Sequence, residues 1–84
     1  MYHIQWEKKA IRQLKKFQTS ERLLISEAVI TLEKWPDCTN VKSLVNHKYG
    51  YRLRIGRFRI FFDVGLSLNI VMIEEVKKRD EHTY

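Results

Sequence analysis

The hydrophobic pattern of the chain changes period twice. Tyr2, Ile4 and Trp6 alternate with His3 and Gln5, the two-residue repeat of a strand with one buried face. From Glu7 the spacing becomes helical. Ala10, Ile11, Leu14 and Phe17 share one side, and Lys8, Lys9, Arg12, Lys15 and Lys16 fill the solvent side. Gln18-Thr19-Ser20 interrupts this pattern. Ser20 is expected to cap a second helix, with Glu21 suited to its positive end, running to about Lys34. Leu24, Ala28, Leu32 and Trp35 form its expected core stripe, widened by Leu23 and Ile30. A stripe this wide covers a sheet and can leave apolar surface for a protein partner. Pro36 ends the helix, because proline disfavours helical backbone at the residue before it.

Cys38 to Gly50 reads as a connecting loop, with a turn of structure around Val41 to Leu44. The two-residue period then returns in three strands of a meander. Tyr51 to Ile55 places Tyr51, Leu53 and Ile55 on one face and Arg52 and Arg54 on the other. Phe58 to Val64 groups Phe58, Ile60, Phe62 and Val64 against Arg57, Arg59, Phe61 and Asp63. Gly65 turns into Leu66 to Val76, which is apolar on both faces through Met72 and reads as an inner strand. The order β-α-α-β-β-β predicts an α+β fold. It is one small domain over residues 1–84, with a mixed or antiparallel sheet and two N-terminal helices packed on one face.

Composition narrows the class. With 44% hydrophobic and 12% aromatic residues the chain can build a core, although 84 residues bury a modest share of surface. A net charge of +6 and a pI near 9.7 point to a polyanionic partner: nucleic acid, an anionic membrane or an acidic protein. The single cysteine, Cys38, fits a reducing compartment. His3, His47 and His82 are too scattered to suggest a zinc site, and no metal or cofactor is expected. The start, Met1-Tyr2-His3-Ile4-Gln5-Trp6, lacks the basic lead and apolar run of a secretion signal. The apolar runs are too short to span a bilayer. A soluble cytoplasmic protein without membrane contact is expected.

The charge is clustered. Between Val41 and Phe62 stand Lys42, Lys48, Arg52, Arg54, Arg57 and Arg59, with no Asp or Glu. Arginine on a rigid strand is a fixed, permanently charged fork that fits phosphate oxygens. Arg52, Arg54 and Arg59 reach the same side of the sheet from neighbouring strands and can converge on one patch. Asp63, Glu74 and Glu75 are the acids available to pair with them; they are expected toward the far ends. The residues by themselves therefore support a phosphate-binding surface. The basic face of the first helix reads chiefly as a solvated surface with a secondary share in RNA binding.

With these positions marked, the chain resembles the RelE/ParE superfamily of toxins from type II toxin–antitoxin systems, and within it the RelE-like mRNA endoribonucleases. The resemblance spans nearly the whole chain. It rests on Ile4-Gln5-Trp6 through Ala10 and Leu14, on Val41-Lys42-Ser43-Leu44, on Tyr51 through Ile60, and on Lys78-Arg79-Asp80-Glu81-His82-Thr83-Tyr84. It implies a toxin that enters the ribosomal A site and cuts mRNA during translation. It also implies an acidic antitoxin that wraps and blocks the toxin, with operator DNA bound only through that complex. A ParE-like inhibitor of DNA gyrase shares the fold and is the nearest alternative. A non-catalytic module binding RNA or protein is the other.

Residue by residue, the resemblance assigns Arg59 to the scissile phosphate and Arg52 and Arg54 to the paired basic positions on the preceding strand. Arg79 matches the basic residue of the C-terminal motif, and Tyr84 its tyrosine, suited to stacking on a base. Some members carry lysines where this chain has Arg52 and Arg54. Arginine stays protonated, so it stabilises charge and is a poor general base. The C-terminal motif is about one residue shorter here, which makes His82 a candidate for proton transfer, weighed equally against a solvent-exposed bystander. His47 is expected to be a loop bystander, and Tyr49 and Tyr51 are expected to pack.

Overall fold

The computed structural model describes residues 1–79. Strand β1, His3–Trp6, leads into helix α1, Lys8–Lys15, and helix α2, Thr19–Ile30. A single 3-10 turn, Thr31–Lys34, extends α2. Strands β2 (Val41–Ser43), β3 (Tyr51–Ile55), β4 (Phe58–Gly65) and β5 (Ile70–Lys78) complete the chain. The sheet order is β1-β5-β4-β3-β2, with β1 parallel to β5 and every other pair antiparallel. The fold is thus α+β with a mixed sheet. It holds one strand more than the expected order, because Val41 to Ser43 pairs with Leu53 to Tyr51 and becomes an edge strand.

The second helix differs from expectation in two ways. Its N-cap is Gln18, and Ser20 lies inside the first turn. The Gln18 N–H donates to Glu21 Oε1 at 3.0 Å, half of a capping box that satisfies otherwise orphaned donors. The buried stripe is Ile25, Val29 and Leu32, while Leu23, Leu24 and Ile30 are exposed. Apolar residues occur on more than one side of this helix, so two stripes at helical spacing compete, and only docking on the sheet selects one.

The core packs α1 and α2 against one sheet face. Ala10, Ile25, Val29 and Leu32 meet Leu53, Phe58, Ile60, Phe62, Val71, Ile73 and Val76. Phe17 meets Phe58 edge-on at 5.2 Å, and Trp35 meets Tyr51 edge-on at 4.6 Å between ring centres. Leu66 and Leu68, expected within the last strand, are exposed in a 3-10 turn, Leu66–Leu68, and β5 begins only at Ile70.

Two irregularities set which residues face the core. Gly56 turns β3 into β4 at φ +55°, a backbone conformation costly for side-chain-bearing residues. In the β4–β5 ladder Phe61 faces Glu75, yet Phe62 faces Ile73, so Glu74 is an extra residue on β5. The bulge rephases the strand. Ile73 and Val76, three residues apart, are both buried on the core face.

Helix α1 also guards an edge. Strand β1 pairs with β5 only as far as Trp6 opposite Ile73. Beyond that point Gln13 takes over, and its Oε1 accepts the Val76 N–H at 2.7 Å. An open strand edge is thereby partly satisfied by a side chain. Among the described residues, no helix is long and apolar enough to cross a membrane.

Candidate functional site

The sheet face turned away from the core stripe carries two cross-strand rows. One runs Lys42, Arg52, Phe61, Glu75; the other runs Arg54, Arg59, Lys77. Residues opposite one another in a ladder share a face, so strand pairing alone gathers Arg52, Arg54 and Arg59. Arg54 and Arg59 are direct partners. Like charges placed so are destabilising by themselves and are relieved by a bound anion. Both side chains are exposed, and Arg52 is half-buried. The Arg52 Nε is buried without a hydrogen-bond partner. Among the described residues none of these three arginines pairs with a carboxylate.

Arg79 stands just beyond β5 and is exposed. Its backbone N–H donates to the Arg57 carbonyl at 2.7 Å, which fixes it beside the Gly56 end of the same sheet. His82 and Tyr84 lie outside the described residues.

The acids are placed differently from expectation. Glu75 sits mid-sheet, 6% exposed, in the same row as Arg52. Tyr49 donates its hydroxyl to Glu75 Oε2 at 2.7 Å. Gln13 Nε2 donates to Oε1 at 3.1 Å, and Lys9 Nζ lies 3.4 Å from that oxygen. Lys77 Nζ is 3.9 Å away. Burial alone pushes the Glu75 carboxyl up, but these hydrogen bonds and cations outweigh it and hold the carboxyl at about 2. Burial, with the Glu75 carboxylate beside it, pushes the Tyr49 phenol up to about 12. Near neutral pH Glu75 is therefore a fixed anion and Tyr49 a fixed donor. Neither suits proton transfer, which needs a pKa near the working pH.

The loop from Leu44 to Gly50 lies against this face. Leu44 N–H donates to the Gly50 carbonyl at 2.9 Å, and Gly50 N–H donates to Asp63 Oδ1 at 2.7 Å. The His47 ring stacks on Phe61, 5.2 Å between centres and 10° from parallel. Its Nδ1 accepts the Tyr49 backbone N–H at 3.0 Å. His47 does sit in a loop, as expected, and its ring is tied down at both a face and a nitrogen. Tyr49 does pack, as expected, but it also anchors Glu75. Nothing in the sequence spacing marks the contacts of His47 with Phe61, of Gly50 with Asp63 and of Tyr49 with Glu75, because those partners are distant in the chain.

No family model matches the chain, and no curated protein matches it. Solved structures do. The isolated E. coli RelE toxin superposes with a TM-score of 0.81 at 14% identity, over 99% of this chain and 89% of that one. The fold is the RelE fold. The RelBE2 toxin–antitoxin complex of Mycobacterium tuberculosis gives 0.79 at 19% identity, over 93% of this chain and 98% of that one. The RelE–RelB complex of the archaeon Pyrococcus horikoshii gives 0.77 at 21% identity, over 95% and 97%. On this RelE fold, the open face of β3 and β4 carries the arginines.

Proposed function

We propose that the chain is the toxin of a type II toxin–antitoxin pair and acts as a ribosome-dependent mRNA endoribonuclease. The observation that carries this reading is the direct cross-strand pairing of Arg54 with Arg59 beside Arg52, with none of the three neutralised by an acid among the described residues. The structural neighbours include complexes of RelE with RelB, which favours an antitoxin partner for this chain as well. An acidic antitoxin laid over this face would neutralise the arginines and block the site.

In the proposed reaction the RNA 2′-hydroxyl attacks the adjacent phosphorus. The 2′-oxygen gives up its proton and bonds to phosphorus, and the bond from phosphorus to the 5′-oxygen breaks as that oxygen takes up a proton, leaving a 2′,3′-cyclic phosphate and a 5′-hydroxyl. Arg59 grips the scissile phosphate, and Arg52 and Arg54 stabilise the extra negative charge of the pentavalent state. Arg79 adds a further cation beside the same sheet end. The arginines cannot accept the 2′-OH proton. His82 is the candidate for proton transfer, and Tyr84 for stacking on a base. With no strong base on the described face, the 2′-OH and phosphate must be aligned from outside, which is the role assigned to the ribosome.

The test is primer extension on a defined mRNA, with and without stalled ribosomes, using the parent protein and Arg59→Ala. Cuts at A-site codons are expected only with ribosomes and only from the parent. A folded, toxic protein that cuts in neither condition would overturn the nuclease reading and direct the search to DNA gyrase.

A further inference from the structure

The exposed imidazole of His47 lies flat on Phe61, and Phe61 is itself only 8% exposed. One ring face is thus covered, the Tyr49 ring lies tilted 5.9 Å away, and the residue as a whole stays exposed. The ring is also held in place. Its Nδ1 accepts the Tyr49 N–H, and Tyr49 is anchored through its hydroxyl to Glu75. Gly50 is tied to Asp63 on β4. A histidine whose only task is to be soluble needs none of these restraints. A flat ring fixed in advance loses little conformational freedom on stacking with a ligand.

The position of the ring narrows the ligand. Phe61 is the cross-strand partner of Arg52 and stands two residues beyond Arg59 on β4. Two residues along a strand span about 7 Å, so the stack is a close neighbour of the arginine pair on the same face. Lys77 Nζ lies 5.8 Å from the Phe61 ring centre, and Lys48 Nζ lies 5.4 Å from that of Tyr49. A flat aromatic surface bordered by cations and beside a phosphate clamp has the composition of a nucleotide site. Cations take the backbone, and the ring takes the base. Because Nδ1 is an acceptor, the proton of the neutral ring is on Nε2, which is left as a donor at the rim of the ring.

We propose that the His47–Phe61 stack is a nucleobase platform, on which the base of a nucleotide held at the arginine face stacks on the outer face of the imidazole. This deepens the proposed function and rests on that face being an RNA site. His47 is then a positioning and specificity residue. It aligns the nucleotide through its base and moves no proton. The competing role is a mere cover for Phe61. An aliphatic side chain could provide a cover, but only an aromatic one can provide a platform.

The experiment uses an mRNA that is 2′-O-methylated across the A-site codon and so lacks the attacking hydroxyl. The codon carries 2-aminopurine at each position in turn. The parent protein, His47→Ala, His47→Leu and His47→Phe are titrated against it, free and on programmed ribosomes, and quenching of the 2-aminopurine reports stacking. Parent and His47→Phe are expected to quench at one codon position. His47→Ala and His47→Leu are expected to lose that quenching and bind roughly tenfold more weakly, within the range that one base–aromatic stack supplies, while remaining folded; His47→Phe, which lacks the same Nδ1 acceptor, is the control for the lost Tyr49 hydrogen bond. Quenching and affinity for His47→Leu equal to the parent's would overturn the platform, as would no quenching by the parent at any position. A parallel arm with unmodified mRNA separates the two readings. A parent that cuts no better than Arg59→Ala but quenches through His47 keeps the platform and removes the nuclease. A parent that cuts while the His47 variants bind and quench alike keeps the nuclease and removes the platform.

Discussion

Tyr49 and Glu75 are 26 residues apart in the chain and 2.7 Å apart in space, and both are buried. Their contact ties the loop after β2 to the middle of β5. Tyr49→Phe removes the donor and leaves the carboxylate short of a partner. A loss of about 1–3 kcal/mol is expected, seen as a lower urea midpoint at unchanged slope. A midpoint equal to the parent's would show that the contact does not hold the loop.

The same pair predicts both ends of the pH–stability profile. Glu75 is held at about 2 in the fold against 4.5 as its ordinary value. A lowered carboxyl contributes stability that is complete above 4.5 and is lost as pH falls toward 2. Tyr49 is raised from 10.0 to about 12, so its contribution is complete below 10 and is lost as pH rises to 12. Melting temperatures across pH should fall at both ends. Glu75→Gln should flatten the acid limb and Tyr49→Phe the alkaline one. Unaltered limbs in these variants would assign the pH dependence elsewhere.

Glu74 should behave in the opposite sense to Glu75. Burial raises its carboxyl above 4.5, helped by a hydrogen bond with Asp63. A raised carboxyl favours the fold below its ordinary value, and that benefit disappears as pH rises through the raised value. Glu74→Gln should therefore melt higher than the parent at neutral pH, with the advantage shrinking below about 4.5. A variant that melts lower at neutral pH would mean that the charged form is needed at the bulge.

Arg59→Ala should abolish killing while keeping the fold. Removing one of two like charges that face each other should leave stability unchanged or raise it by up to about 1 kcal/mol. The measurements are growth after induction and a thermal melt of the purified variant. Full toxicity from the folded variant would remove Arg59 from the proposed site.

For His82→Ala the expected result is slower cutting, by about a hundredfold or more if it transfers a proton, with ribosome binding retained. Single-turnover cutting on saturating ribosomes checks this. A rate equal to the parent's would remove His82 from the proposed reaction.

Much of the arginine face is legible in the sequence, because alternation within a strand is a local property. Arg52 and Arg54 must share a side of β3, and a tight turn at Gly56 brings Arg59 opposite Arg54. The strand over Val41 to Ser43 is less legible. Three residues carry too little pattern, and their partners begin eight residues further on. Spacing alone places Leu32 correctly in the core, with Ala28 and Trp35 against it, but takes Leu24 where Ile25 and Val29 are buried, because apolar residues on several sides of α2 satisfy helical spacing equally well.

The sequence by itself determined the periods of β1, α1, β3 and β4, the end of the helical region at Pro36 and the gathering of charge between Lys42 and Arg59. Each depends on neighbours within a few residues, whose geometry is fixed by rise and twist of the backbone. Only the tertiary structure decided that β1 lies beside β5, that Gln13 serves Val76 and Glu75, and that His47 rests on Phe61. Gln13 is 62 residues from Glu75. Contacts of that kind have no periodic signature; they are set by which elements pack together, and that is a choice of the whole core.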